Sequence, residues 1–296
     1  MDVDKLIDLG KKTKEIKSFA KSLVKPGAKL LDIAENIEKR VEGMGLMMAF
    51  PVNISINDVA AHYTPTINDE SVVDENDIVT VDFGLWNGVE ITDTSFTLDL
   101  SGEHSDLVET SEAALNRAIE EIKPGVENGF IGGIIEETIR SRGFKPISNL
   151  TGHKIEPLNL HAGVSIPNIK TGERYVFKEG DVFAIEPFVT TRSGLGYVKE
   201  TEIVEIYSFI NKPPLRLKQS KDILNYIYDK FKTMPFAERW IRKIFHPQFA
   251  VSAALKELLK SHAIMGYPML REANNQLVSQ HEHTVYIDKD GPIVIT

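Results

Sequence analysis

The hydrophobic positions of this chain fall into helical and strand periods, and one helical pattern occurs twice. In KPGAKLLDIAENIEKRVEGMG (Lys25 to Gly45), Ile33, Ile37 and Val41 recur every fourth residue, the stripe of an amphipathic helix. Pro-Gly before the stripe and Gly after it supply the start and stop. KPGVENGFIGGIIEETIRSRG (Lys123 to Gly143) can be laid under it without a gap, with Ile131, Ile135 and Ile139 in the same places. Downstream, DIVTVDFG (Asp77 to Gly84) matches DVFAIEPF (Asp181 to Phe188), each a strand pattern after a turn, with Asp82 over Glu186. His62 and His161 both fall late between helix and strand. An internal repeat predicts two similar halves, each offering a carboxylate and a histidine toward a common centre.

The remaining pattern predicts a helix over Asp4 to Val24 and another over Ser105 to Ile122, with Ser105 as N-cap. Val79, Val81 and Phe83 alternate with polar residues, and Val89 to Thr97 reads as a second strand. Asn87-Gly88 between them is a two-residue hairpin signal, which places Asp82 directly opposite Asp93. After Glu202 the pattern changes. Helices are expected around Ile223–Phe231, Phe236–Ile244 and Gln248–Lys260, interrupted by Pro213, Pro214, Pro235 and Pro247, before a strand QHEHTVYI. This predicts an α+β main domain of residues 1–210 and 271–296, with residues 211–270 as a helical insertion subdomain.

Composition narrows the chemistry. The net charge of −9 argues against a general nucleic-acid binder, and without cysteine there are no disulfides, thiol catalysis or cysteine metal ligands. The acidic N-terminus has no apolar run behind it and no segment suits a membrane span, so a cytoplasmic protein is expected. Charge is uneven. Residues 211–262 hold eleven Lys and Arg against four Asp and Glu, a surplus of +7 that leaves −16 elsewhere. Such an insert reads either as a solvated helical surface or as a dock for ribosomal RNA, with Arg239, Arg242 and Lys243 as the positions to test.

Two aspartates face to face in a strand pair repel one another. His153 in NLTGHKIEP, Glu186 at the end of the apolar VFAIE and Glu282 in HEHTVYI add polar groups where a core should be apolar. No arginine or lysine recurs beside these five, and buried carboxylates are costly unless paired or bound to a cation. Divalent metal resolves the conflict, held by Asp, Glu and His. Spacing alone does not choose His153 over His161.

The ordered set Asp82, Asp93, His153, Glu186 and Glu282 resembles the five-ligand signature of the pita-bread metallopeptidases. The motifs FPVNISINDVAAHYTP, VDFG with ITDTSFT, GHKIEPLNLHAG, AIEPF, MPFAERW and HEHTV resemble those of the type II methionine aminopeptidases, from Phe50 to Val285. The resemblance implies two pseudo-symmetric halves around a mostly antiparallel sheet, and two divalent ions per chain (Co, Mn, Fe or Zn). Asp82 would be the bidentate ligand of one ion and Asp93 and Glu282 the bridges. His153 and Glu186 would hold the other ion. It further implies removal of the initiator methionine from nascent chains with a small second residue, by attack of a metal-bound hydroxide with Glu186 as general base. His62 and His161 would hydrogen-bond the scissile amide and the tetrahedral intermediate. Phe50 matches a wall of the methionine pocket, with Tyr267 and residues near Met234 as weaker members. His281 departs from the aromatic residue many relatives carry, and is expected to point away from Glu282. A monomer is expected. The alternatives are a prolidase-like or X-Pro aminopeptidase, for whose N-terminal domain position 82 leaves no room, and a non-catalytic ribosome- or RNA-binding scaffold, which would have lost ligands. The insert favours type II, and the absence of a charged N-terminal extension an archaeal member.

Overall fold

A computed structural model describes residues 1–296. The first half runs α1 (Val3–Leu23), α2 (Leu30–Gly43), β1 (Met47–Ile56), β2 (Val59–Ala61), β3 (Ile78–Trp86) and β4 (Ile91–Asp99). The second runs α3 (Ser105–Glu121), α4 (Asn128–Ser141), β5 (Lys145–Pro146), β6 (Thr151–Lys154), β7 (Ser165–Pro167), β8 (Val182–Ile185), β9 (Phe188–Thr190) and β10 (Val198–Phe209). There follow α5 (Lys218–Phe231), β11 (Phe236–Ala237), α6 (Glu238–Ile244), α7 (Gln248–Lys260), β12 (Ile264–Glu272), β13 (Val278–Gln280), β14 (Glu282–Asp288) and β15 (Gly291–Val294).

The main sheet orders its strands β1-β3-β4-β14-β8-β6-β7, with β15 paired to β14. Smaller sheets run β11-β10-β12-β2 and β13-β9-β5, and every ladder is antiparallel. Helices α1 and α2 bury their apolar stripes, Ile33, Ile37 and Val41 among them, on β1 and β3. Helices α3 and α4 bury Ile131, Ile135 and Ile139 with β8 and β14. The sheet thus carries one helix pair per half.

The repeat extends to individual hydrogen bonds. Gly27 N–H donates to Val73 O at 2.7 Å and Val73 N–H returns to Ala28 O at 2.9 Å. In the second half Gly125 N–H donates to Phe177 O and Phe177 N–H to Val126 O, both at 2.9 Å. Gly27 and Gly125 take φ of 81° and 92°, a left-handed turn that glycine adopts without a Cβ penalty.

Several local expectations shift. The β3–β4 hairpin pairs Trp86 with Ile91, so its loop holds four residues and Asp82 faces Ser95 rather than Asp93. The cause is the Asn87 side chain, whose Oδ1 accepts from Val89 N–H at 3.0 Å and Glu90 N–H at 2.9 Å, stabilising a wider turn. The displacement is two residues, which preserves the face each side chain occupies. Ser105 is the first helical residue of α3 rather than its cap; His104 caps it, with its N–H held by Asp99 Oδ2 at 2.6 Å. The segment at 236–244 opens with the two strand residues of β11, and QHEHTVYI breaks at His281 between β13 and β14. Within 211–270, α5 to α7 share a core with Tyr207 and Ile264, while residues 264–270 are strand.

Candidate metal centre

Sheet parity assembles the site. Across β3, β4 and β14, Asp82 pairs with Ser95 and Ser95 with Glu282, so both carboxylates lie on one face and flank a buried serine. Asp93 is two residues from Ser95 and therefore on the same face, where it faces Gly84. Thr284 locks it, accepting from Asp93 N–H at 2.7 Å and donating to Asp93 O at 2.8 Å. His153 of β6 reaches the face from the second half. Its Nε2 lies 3.4 Å from Asp93 Oδ2 and 3.8 Å from Glu186 Oε1. Glu186, just past β8, is steadied by Gln280 Nε2 at 3.0 Å.

The five residues line one cavity of about 420 Å³, together with Phe50, His62, His161 and Tyr267. They are not equally close. Ligand atoms of Asp93, His153 and Glu282 lie within 4.8 Å of one another, Glu186 joins through His153, and Asp82 stands across Ser95 from Glu282.

The electrostatics are those of a cation site. Asp82 Oδ1, Asp93 Oδ1 and Glu282 Oε2 are buried without a hydrogen-bond partner. Burial first, then neighbouring carboxylates, holds Asp82, Glu186 and Glu282 well above the ordinary carboxylate range. Burial lowers His153 to about 4, so its imidazole is neutral and able to ligate. Orphaned carboxylate oxygens converging with a neutral imidazole fit divalent cations. One basic group was not foreseen. Lys17 of α1 donates to Thr94 Oγ1 at 2.8 Å and to Glu282 O at 3.4 Å. It contacts the backbone carbonyl at Glu282 and leaves the three oxygens unpaired. Burial, then Lys21, depresses it to about 8.

His62 follows β2 with a φ of 64°, and its Nδ1 meets Pro268 O at 3.2 Å. A carbonyl only accepts, so Nδ1 carries the proton and Nε2 is free to accept. The ring stands edge-on to Tyr267, with centroids 5.5 Å apart. His161 packs on His153 at 4.4 Å between centroids and stays exposed. Apolar walls come from Phe50, Leu160, Phe188, Ile206 and Pro235. Met234 packs in the cluster behind Phe50 rather than lining the cavity. His281 turns away, with Nδ1 2.8 Å from Ser111 Oγ on α3.

The model of metallopeptidase family M24 matches residues 5–208. The chain belongs to metallopeptidase family M24. A methionine aminopeptidase of Pyrococcus abyssi is 47% identical to this M24 chain over 297 residues, covering 100% of both. The solved structure of a thermophilic Arx1 superposes with a TM-score of 0.85 at 19% identity, covering 100% of this chain and 91% of that one. A methionine aminopeptidase from Thermotoga maritima does so at 0.72 and 21%, covering 100% and 96%. The fold is the pita-bread fold, and M24 membership implies divalent metal.

Proposed function

We propose that the chain is a methionine aminopeptidase of the type II class, releasing methionine from peptides whose second residue is small. The observation that carries this is the convergence of Asp82, Asp93, His153, Glu186 and Glu282 on one cavity with an apolar wall, in a chain 47% identical from end to end to a methionine aminopeptidase. Asp82 would hold one ion, His153 and Glu186 another, with Asp93 and Glu282 between them; Co, Mn, Fe and Zn all suit this donor set. Divalent ions so held supply Lewis acidity at the scissile carbonyl and acidify water. The chain's own groups do the rest. Glu186, steadied by Gln280, takes a proton from water and returns it to the leaving nitrogen. His62 accepts the scissile N–H at Nε2, and His161 donates to the carbonyl oxygen as charge develops there. Phe50, Leu160 and Tyr267 hold the methionine side chain.

We propose further that residues 211–270 form an insertion subdomain on a main domain of residues 1–210 and 271–296, and that the chain works as a cytoplasmic monomer on nascent chains. Of the residues first expected at a ribosomal contact, Arg239 is withdrawn from it by burial, while Arg242 and Lys243 reach the surface within ion pairs, to Glu238 and Glu35 in turn. The exposed Lys221, Lys256 and Lys260 remain for phosphate, and ribosome co-sedimentation that ignores both salt and their reversal to Glu would sink that contact.

The activity is tested with metal-stripped protein, a mixture of Met-Ala-Ser and Ala-Pro-Ser, and added Mn or Co. Release of methionine alone, only with metal, supports the reading. Cleavage confined to the bond before proline moves it to a prolidase-like enzyme.

A further inference from the structure

The polar row that crosses the sheet at Asp82 begins one strand before the candidate ligands. Asn53 of β1 pairs directly with Asp82, so their side chains share a face, and both line the cavity. A β-bulge produces this. Phe50 pairs with Gly84 and Asn53 with Asp82, so three residues of β1 span two of β3. Without the extra residue Phe50 and Asn53 would point to opposite faces; with it, both face the cavity.

The orientation of the Asn53 amide follows from its neighbour. Its Nδ2 donates to Pro51 O at 2.9 Å. That contact requires the NH₂ end, which turns Oδ1 away from Pro51. Oδ1 is buried and has no partner, in a residue only 4% exposed. An unpaired buried acceptor costs free energy until a donor reaches it. The Asp82 carboxylate beside it is also an acceptor when ionised. The donor shared by every aminopeptidase substrate is its free amino group.

We propose that Asn53 Oδ1 accepts a hydrogen bond from the α-amino group of the substrate's first residue, making Asn53 the side chain that recognises a free N-terminus. This rests on the methionine aminopeptidase reading and deepens it. Phe50 would take the methionine side chain and Asn53 its amine, from the two ends of one bulge.

Calorimetry on the Mn-loaded protein separates the roles, using L-methionine and 4-(methylthio)butanoate, the same molecule without the amine. Asn53→Leu should weaken methionine by about tenfold while leaving the des-amino ligand unchanged. Asn53→Asp, which keeps an acceptor, should retain methionine. If Asn53→Leu does not fold, Asn53→Ala removes the same oxygen. Equal weakening of both ligands, or of neither, overturns the proposal. Wild-type protein that neither binds nor releases methionine is a different failure, since it removes the aminopeptidase reading and this inference with it.

Discussion

Asp93 faces Gly84, not Asp82, across the β3–β4 ladder. A Cβ at Gly84 would run into the Thr92 carbonyl oxygen, the Phe50 ring at 2.7 Å and Ala49 Cβ at 3.0 Å. Backbone cannot give way as a flexible side chain does. Gly84→Ala should therefore destabilise the protein by about 2 kcal/mol and lower kcat/KM by more than about tenfold, because it displaces Phe50 and the strand carrying Asp93. Urea unfolding and peptide kinetics on the same preparation check both effects.

Metal removal should change stability in a pH-dependent way. Burial, then mutual repulsion, raises Asp82, Glu186 and Glu282 above their ordinary values of 3.8, 4.5 and 4.5. A carboxyl raised in the folded state contributes stability below its unfolded pKa and loses it as pH climbs through the raised value. These carboxyls thus favour the stripped protein at pH 5 over pH 8, while the buried histidines, His62 and His153 lowered to about 4 among them, work the other way. Added Mn should raise Tm by about 5 °C or more at pH 8 and by less at pH 5. Scanning calorimetry reads the difference, and a Mn-induced rise in Tm as large at pH 5 as at pH 8 contradicts the site's electrostatics.

Glu205 offers a second titration, away from the ligands. Burial, then the Glu238 carboxylate, pushes it up to about 7. Its folded pKa is raised, so its ionisation costs stability as pH rises from 4.5 through 7. Glu205→Gln should be neutral near pH 5 and stabilising at pH 8, by ~1 kcal/mol once solvent screening of this half-buried group is allowed for. Urea midpoints at the two pH values decide it.

Arg239 was expected at the surface and is buried. It donates to Thr64 Oγ1 at 2.7 Å and Pro65 O at 3.2 Å, and pairs with Glu38, which also holds Trp240 Nε1 at 2.9 Å. Arg239→Met leaves Glu38 without its counter-charge and should cost about 3–5 kcal/mol. Lys256→Glu on the exposed face of α7 should move stability by less than ~0.5 kcal/mol. Denaturant unfolding of the two variants makes the contrast.

What the amino-acid pattern revealed and what it concealed divide along physical lines. Ile33, Ile37 and Val41 repeat with the helix period because one helix face must be buried, so both helix pairs and the repeat were legible. Asp82, Asp93, Glu186 and Glu282 stood out because acids are rare in apolar strands, and their face survived a register error of two residues. The register itself depended on how the Asn87 side chain hydrogen-bonds, which a turn dipeptide does not specify. Lys17 was missed because nothing in α1 says which strands its inner face will cover. Asn53 was missed because a bulge is decided by the partner strand. Arg239 was misplaced because charge composition does not distinguish a solvated base from one bonded inside the fold.

By the function proposed above, these five side chains bind divalent metal and thereby make the cavity a methionine-releasing site. Titrating Mn into stripped wild-type protein and into Asp93→Asn, with calorimetric stoichiometry and methionine release from Met-Ala-Ser followed together, tests it most directly. Two ions per wild-type chain are expected, with activity that appears as they bind and loss of at least one ion with nearly all activity in Asp93→Asn. Full methionine release from stripped protein, or an Asp93→Asn variant that binds metal and turns over like wild type, would contradict that reading.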